Sequence, residues 1–377
     1  MKITDVTTLT FGHAAFVQVH TDEGITGLGE ITLDGRELTA VRAIEHFRAQ
    51  LVDRDPFDIE RIWQTLYRGT FWRGGPALLT ALSGLDIALW DLKGKALHTP
   101  VFNLLGGRAR DRILVYCHIG GQDEDELCRH GLQKVEAGYR VLRIAPDPRG
   151  GWDAPFEPGP AIRRHVKMFR ALRAAVGDEI EICTDVHTRL SPARAIEYCN
   201  ALAEYRPYFV EDPIRSESPE AFALLRAHTS VPLATGEQLG AKWDFRNLIE
   251  NDWIDYVRAD LIHCGGLTEG RKIAAMAETH YQEMTLHNAA SPVCGMASLH
   301  LDHALPNFLV QEFGLDRNNR QRWDQILDFD FEFKDGYVTI PPRPGLGIEL
   351  RQPLRPDEFR MWELPHLHRE DGSFQDW

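Results

Sequence analysis

From about residue 112 onward the chain repeats one pattern, in which short apolar runs alternate with helical segments. Eight runs read as strands: ILVYCHI (113–119), VLRIA (141–145), IEICTDVH (180–187), YFVED (208–212), PLATGE (232–237), YVRAD (256–260), EMTLHNA (283–289) and NFLVQE (307–312). Amphipathic periodicity fills 124–137, 160–176, 191–204, 218–228, 241–251, 267–281 and 293–303 between them. Strand–helix alternation at this period means parallel βαβ units. Eight parallel strands close naturally into a barrel whose active site sits at the strands' C-terminal ends. No clear helix follows the eighth strand, where the chain enters a Pro- and Gly-rich tail. The expected fold is α/β, a modified TIM barrel of the (β/α)7β kind over 113–345.

The first 112 residues read as an α+β capping domain. AAFVQVHT (14–21) alternates as a strand, DEG makes a turn, and Ile25 to Glu30 returns as a hairpin. Helical periodicity follows at 36–52 and 59–68, and a long apolar helix spans about 76–97. The segment 346–377 is expected to return to this domain. The 377 residues therefore suit a cap plus one barrel better than two independent domains.

Charge narrows the partners. Lys and Arg total 42 against 56 Asp and Glu, a net charge of −14, so nothing here neutralises a row of phosphates. No run of eighteen apolar residues exists, and MKITDVTTLT carries no apolar leader core. Six scattered cysteines without CxxC spacing suit a reducing compartment. A cytoplasmic chain that binds neither nucleic acid nor membrane is expected. Taken alone, the acidity also disfavours an acidic substrate.

Strand ends are where chemistry is expected. Asp185, Glu211 and Glu237 end strands three, four and five, spaced by 26 residues each time. Neighbouring strands lie roughly 4.8 Å apart, so three carboxylates converge on one side of the mouth. Unpaired anions that close repel strongly. They are protonated, salt-bridged, or hold a hard divalent cation, and oxygen ligands suit Mg²⁺. Pairing with cations is the weaker reading, since no Lys stands at the neighbouring strand ends. Asp212 is expected to point to the other face by strand alternation.

Across the mouth, His287 ends strand seven beside Asp260, which ends strand six. A carboxylate on one imidazole nitrogen fixes the tautomer and raises basicity, as a general base requires. His187, two residues past Asp185, reads as a general acid or as a substrate hydrogen-bond donor, the acid being the preferred reading. His118 and His263 read as structural unless partnered. Glu312 ends strand eight and either orients substrate or pairs with a cation. Arg143 on strand two is a poor base but a good anion binder, or a partner for a metal-side carboxylate.

These same residues carry a resemblance. The chain resembles the enolase superfamily in its mandelate racemase-like branch, over essentially its whole length. TDEGITGLGE (21–30) and the 71–107 segment beginning FWRGGP are similar to that family's cap hairpin and its helix leading into the barrel. TDVHTRLSP (184–192), VEDP (210–213), ATGE (234–237), RADLIHCGGLTE (258–269) and His287 are similar in order and spacing. The ending PRPGLGIEL, then HREDGSFQDW, is also typical. The resemblance implies Mg²⁺ on Asp185, Glu211 and Glu237 that binds a substrate carboxylate and stabilises an enediolate once a base has taken the α-proton. The Asp-x-His of 185–187 resembles acid-sugar dehydratases of the galactonate and mannonate type, where the His expels the 3-hydroxyl. The racemase pattern has Lys-x-Lys on strand two, and here Arg143-Ile144-Ala145 stands there. Arg143 and Asp34-Gly35-Arg36-Glu37 look like the mannonate type, in which a loop Tyr assists the Arg. The loop 146–160 has no Tyr, and Trp152 is its only ring with a polar handle. Asp260 with His287 looks like the galactonate type. Members of this branch are often dimers or octamers, which implies a homo-oligomer.

The leading expectation is β-elimination of water from a sugar acid such as galactonate, mannonate or gluconate. His287 with Asp260 takes the C2 proton, His187 protonates the leaving 3-hydroxyl, and Glu312 and Arg143 assist. Asp34, Trp72, Arg73 and His13 of the cap are candidate substrate contacts. The rivals are a racemase or epimerase on the same scaffold, a two-carboxylate glycosidase, and a non-catalytic sugar-acid binder.

Overall fold

The computed structural model describes residues 1–146, 154–314, 317–351, 360 and 366–376. The chain opens with β1 (Ile3–Phe11), β2 (Ala14–Thr21) and β3 (Thr26–Glu30), an antiparallel meander in that order. The first strand was not anticipated; its Thr-rich ITDVTTLTF alternates only weakly, and pairing with β2 completes it. Helices α1 (Glu37–Leu51), α2 (Ile59–Arg68) and α3 (Pro76–Ala96) cover the sheet. Gly27 and Gly29 let α3 lie directly on β3. A Cβ at these positions would stand 2.0 Å from the Ala88 carbonyl oxygen and 1.9 Å from that of Gly84. A side chain there would force helix and strand apart.

After α4 (Val101–Leu104) the barrel begins. Its strands are β4 (Ile113–His118), β5 (Val141–Ile144), β6 (Glu181–Asp185), β7 (Val210–Glu211), β8 (Leu233–Thr235), β9 (Tyr256–Val257), β10 (Glu283–Met284) and β11 (Gln311–Glu312). The intervening helices are α5 (Glu124–Glu136), α6 (Pro158–Val176), α7 (Pro192–Leu202), α8 (Glu220–His228), α9 (Lys242–Glu250), α10 (Gly266–Glu278) and α11 (Pro292–Ala304). Each strand from β4 to β9 pairs in parallel with the next. A Met284–Phe308 bridge and the β11–β4 ladder close the ring. Buried Tyr116, Val141, Cys183, Phe209, Ala234 and Val310 fill its interior. The protein is thus a capping domain on an α/β barrel.

Among the described residues, the only helix after the eighth strand is the seven-residue α12 (Arg317–Trp323), too short to show a clear period in sequence. Next come β12 (Leu327–Asp328), β13 (Glu332–Lys334) and β14 (Tyr337–Thr339), and β14 pairs antiparallel with β4. Beyond it, contacts at Gly345–Glu349 reach the capping domain: Leu346 donates to Asp91 and Lys95 pairs with Glu349. Contacts at Leu367–Gln375 instead reach the barrel, where Gln375 Nε2 donates to the Arg189 carbonyl. All six cysteines are free. Among the described residues no helix is long and apolar enough to cross a membrane.

Candidate active site

The strand ladder itself places the carboxylates. Asp185 and Glu211 are direct register partners across β6 and β7. Glu237 follows β8 after Gly236, whose φ of 141° suits only glycine. Asp212 departs from alternation because β7 ends at Glu211 and Asp212 turns to φ 37°. That turn brings its carboxylate back toward the mouth, contrary to the expected outward placement. Ligand oxygens of Glu211, Asp212 and Glu237 lie within 4.8 Å of one another. Asp185 stands outside this tight group, turned to Arg143.

Cations are present after all. Arg258, fully buried on the run YVRAD, reaches Glu211 at 2.7 Å, Glu312 at 2.7 Å and Glu237 at 3.9 Å. It also donates to Tyr116 Oη at 2.9 Å. The expectation that these carboxylates lack counter-charges fails, because the cations are arginine rather than lysine: Arg143 is the carboxylate partner its strand-two place allowed, and Arg258 is a second. Alternation from Asp260 would have found Arg258, since residues two apart share a face. Burial works against ionisation of Asp185, but Arg143 holds its carboxyl down at about 2. Glu211 goes the other way. Desolvation and the charges of Asp185, Glu312 and Glu237 raise it well above the usual range in spite of Arg258.

Opposite, an isolated parallel bridge continues the ladder past β9 and β10 and sets Asp260 beside His287. His287 Nδ1 lies 2.6 Å from Asp260 Oδ2. Its Nε2 faces the mouth, 3.6 Å from Glu237 and 3.9 Å from Glu312. Burial lowers the His287 pKa, but Glu237, Glu312 and Asp260 outweigh it and raise the imidazole well above its ordinary value. His187 has φ 55°, so it leaves the strand rather than extending it. Its Nε2 stands 4.0 Å from Glu237. Glu312 also takes His118 at 2.6 Å and the Asn288 N–H at 3.0 Å. Burial works against ionisation of Glu312, but the charges of Arg258 and His287 and the His118 contact hold its carboxyl well below the usual range. His118 and His263 are thus both partnered: His263 Nδ1 meets Thr80 Oγ1 at 2.8 Å.

A cavity of about 540 Å³ lies over this set, lined by Asp34, His187, Arg215, Glu237, His263 and His287 among others. That is the size of a small-ligand site. A larger hollow of about 660 Å³ meets it only at Arg215 and holds none of the strand-end groups. Of the cap residues, Asp34 reaches the cavity, and its carboxyl is pushed up to about 7 by desolvation and by Glu37, Asp260 and Glu30. Trp72 and Arg73 do not reach it. Gly74 and Gly75, with φ 74° and 85°, turn the chain so that Gly75 and Pro76 line the mouth. Trp72 and Arg73 line a separate groove beside α2 instead. His13 lies against Arg322, away from the mouth lining. Trp152 lies outside the described residues.

The donor set fits a divalent cation. Glu211 Oε2 and Asp212 Oδ2 are buried without a hydrogen-bond partner, although Thr235 Oγ1 donates to the other oxygen of Asp212. Buried carboxylate oxygens left orphaned are costly unless a cation or proton satisfies them. All donors are hard oxygens, the type that Mg²⁺ and Ca²⁺ take.

Comparison with known proteins agrees with this geometry. Residues 2–106 match the N-terminal domain of the mandelate racemase / muconate lactonizing enzyme family, and 127–354 match the enolase C-terminal domain-like family. A D-mannonate dehydratase of Sphingomonas sp. (strain SKA58) is 36% identical, over 96% of this chain and 95% of that one. A D-galactonate dehydratase of Ralstonia pickettii (strain 12J) is also 36% identical, over 100% of both. The solved structure of an enolase from Pantoea ananatis, with bound D-gluconate and Mg, superposes with a TM-score of 0.91 at 30% identity, covering 100% of both chains.

Proposed function

Because the chain belongs to the mandelate racemase / muconate lactonizing enzyme family of the enolase superfamily, we propose that it is a Mg²⁺-dependent hydro-lyase acting on a sugar acid. The relatives' dehydratase names and the gluconate-bound neighbour support an aldonate as substrate. The observation that carries the reading is His287 Nε2, aimed into the mouth beside Glu237 while Asp260 holds Nδ1. Nε2 takes the C2 proton, and Asp260 stabilises the imidazolium that results. His187, lining the same cavity, gives a proton to the 3-hydroxyl, which leaves as water. The C2–C3 enol then tautomerises to a 2-keto-3-deoxy acid. Glu211 and Glu237 of the clustered oxygens, with Asp185 from the adjacent strand end, would hold the cation, and Asp212 belongs to the same cluster. When bound, Mg²⁺ supplies positive charge beside the substrate carboxylate and relieves the negative field on His287. Arg143 keeps Asp185 ionised, and Arg258 does the same for Glu312.

Asp34 is the cap residue that reads the substrate's hydroxyls. The exposed edge-to-face pair Phe71 and Trp72 supports a homo-oligomer, since such apolar surface marks interaction sites. The assignment is tested by incubating the protein with a library of aldonates and Mg²⁺ and assaying keto acid. Release from at least one aldonate, abolished by a chelator and restored by Mg²⁺, is expected. Absence of keto acid from every aldonate, or release indifferent to chelation, contradicts it.

A further inference from the structure

Helix α3 presents Thr80, Ser83 and Asp86, spaced by three, along the segment that follows Asp260. Such spacing puts them on one helical face. Thr80 Oγ1 meets His263 Nδ1 at 2.8 Å, Ser83 Oγ accepts from the Gly265 N–H at 2.8 Å, and Asp86 accepts from the Thr268 N–H at 2.9 Å. Trp63 of α2 adds a hydrogen bond to the Gly265 carbonyl at 2.9 Å. Gly266 sits so close that a Cβ there would stand 2.3 Å from the Asp86 carboxylate. The capping domain therefore grips residues 263–268 along their length. Thr80 and Ser83 have no exposed surface.

Within that grip, His263 bridges the two domains. One imidazole edge contacts Thr80 of the cap. The other turns Nε2 toward Asp260 Oδ2 at 4.0 Å, beyond hydrogen-bonding distance but close for a charge and an N–H dipole. That same Oδ2 holds His287 Nδ1. When the Thr80 hydroxyl donates to Nδ1, the neutral ring carries its proton on Nε2, facing the carboxylate. Asp260 is further fixed by the Ile262 N–H at 2.8 Å.

We propose that His263 is a positioning residue through which Thr80 of the capping domain holds the Asp260–His287 pair in working geometry. The inference rests on the dehydratase reading for its kinetic consequence but not for its structural one. Seating the cap on the barrel and aligning the base become one event, because the helix that covers the mouth also fixes the carboxylate's neighbour. His263 is not the proton acceptor. It acts through Asp260, and a small misplacement of a base is costly in rate.

Four variants test this: Thr80→Val, Thr80→Ser, His263→Asn and His263→Gln. Thr80→Val removes the hydroxyl at constant shape, and Thr80→Ser restores it. Asn keeps a polar atom near the position of Nδ1, and Gln one near that of Nε2. With the aldonate that the wild type turns over, Thr80→Val is expected to lower kcat about tenfold with KM within about twofold. Thr80→Ser is expected to return kcat to within about twofold of wild type, and His263→Asn to lose more than His263→Gln. Thermal midpoints are measured alongside. Equal kcat in wild type and Thr80→Val overturns the proposal, and so does a loss in Thr80→Val that Thr80→Ser fails to repair.

The downfield proton resonance of the His287 Nδ1–Asp260 hydrogen bond, read by NMR on histidine-labelled protein, gives an answer without turnover. It is expected to shift in Thr80→Val and His263→Asn. An unmoved resonance overturns the positioning role. A wild type that dehydrates no sugar acid while the resonance shifts overturns only the dehydratase reading.

Discussion

Arg258 has no exposed surface and faces three carboxylates, so its contribution is a balance rather than a sum. Burying a guanidinium costs several kcal/mol, and close anions with good geometry offset it. Removing it leaves Glu211 and Glu312 without their main counter-charge. Arg258→Met is expected to destabilise the fold by about 3–5 kcal/mol in denaturant melts. A change under about 1 kcal/mol would mean that the carboxylates share protons instead. At this scale the sequence was informative in one direction. Asp185, Glu211, Glu237, Asp260 and His287 each close an apolar run, and barrel geometry makes such ends meet. Arg143 was legible as a carboxylate partner, but Arg258 was not, because it matters through Glu312, a residue 54 positions later. The inward turn of Asp212 depends on a positive φ that no periodicity announces.

Helix α3 shows how one element serves two domains. Its sequence reads only as apolar nearly all round, which means burial on every side. One side lies on the glycines of β3, and another presents its polar stripe to the segment leading into α10 and to its first turn. That stripe has a titratable member. Burial pushes the Asp86 carboxyl up to about 7, against hydrogen bonds from Thr268 and the charge of Lys272, with Glu269 adding to the rise. The folded state therefore binds a proton more readily than the unfolded chain, whose Asp titrates near about 3.9. Stability from this group is fully present below about 4, declines as pH rises toward about 7, and is level above that. The decline is on the order of 4 kcal/mol by linkage. Asp86→Asn is expected to flatten this part of the stability profile between pH 4 and 7, measured by urea unfolding at several pH values. An unchanged slope would show that Asp86 ionises normally in the fold.

At the scale of the whole molecule, the net charge of −14 misleads about the substrate. A dication held by the strand-end carboxylates would put positive charge where an acidic substrate docks, whatever the sign of the whole chain. Barrel and cap were legible from strand–helix rhythm because a parallel sheet imposes that rhythm. The seating of the cap was not, since it rests on contacts such as Glu30 with the start of α11, across more than 260 residues. Nor were the places of Trp72 and Arg73, which depend on two left-handed glycines. If His287 starts an elimination, proton NMR of an aldonate with Mg²⁺ in D₂O will separate wild type from His287→Asn. The wild type should give a 2-keto-3-deoxy acid carrying one deuterium at C3, and the variant should be slower by about 10²–10⁴-fold with its fold intact. Deuterium entering C2 with the 3-hydroxyl retained, or product formed equally fast by the variant, would contradict the account.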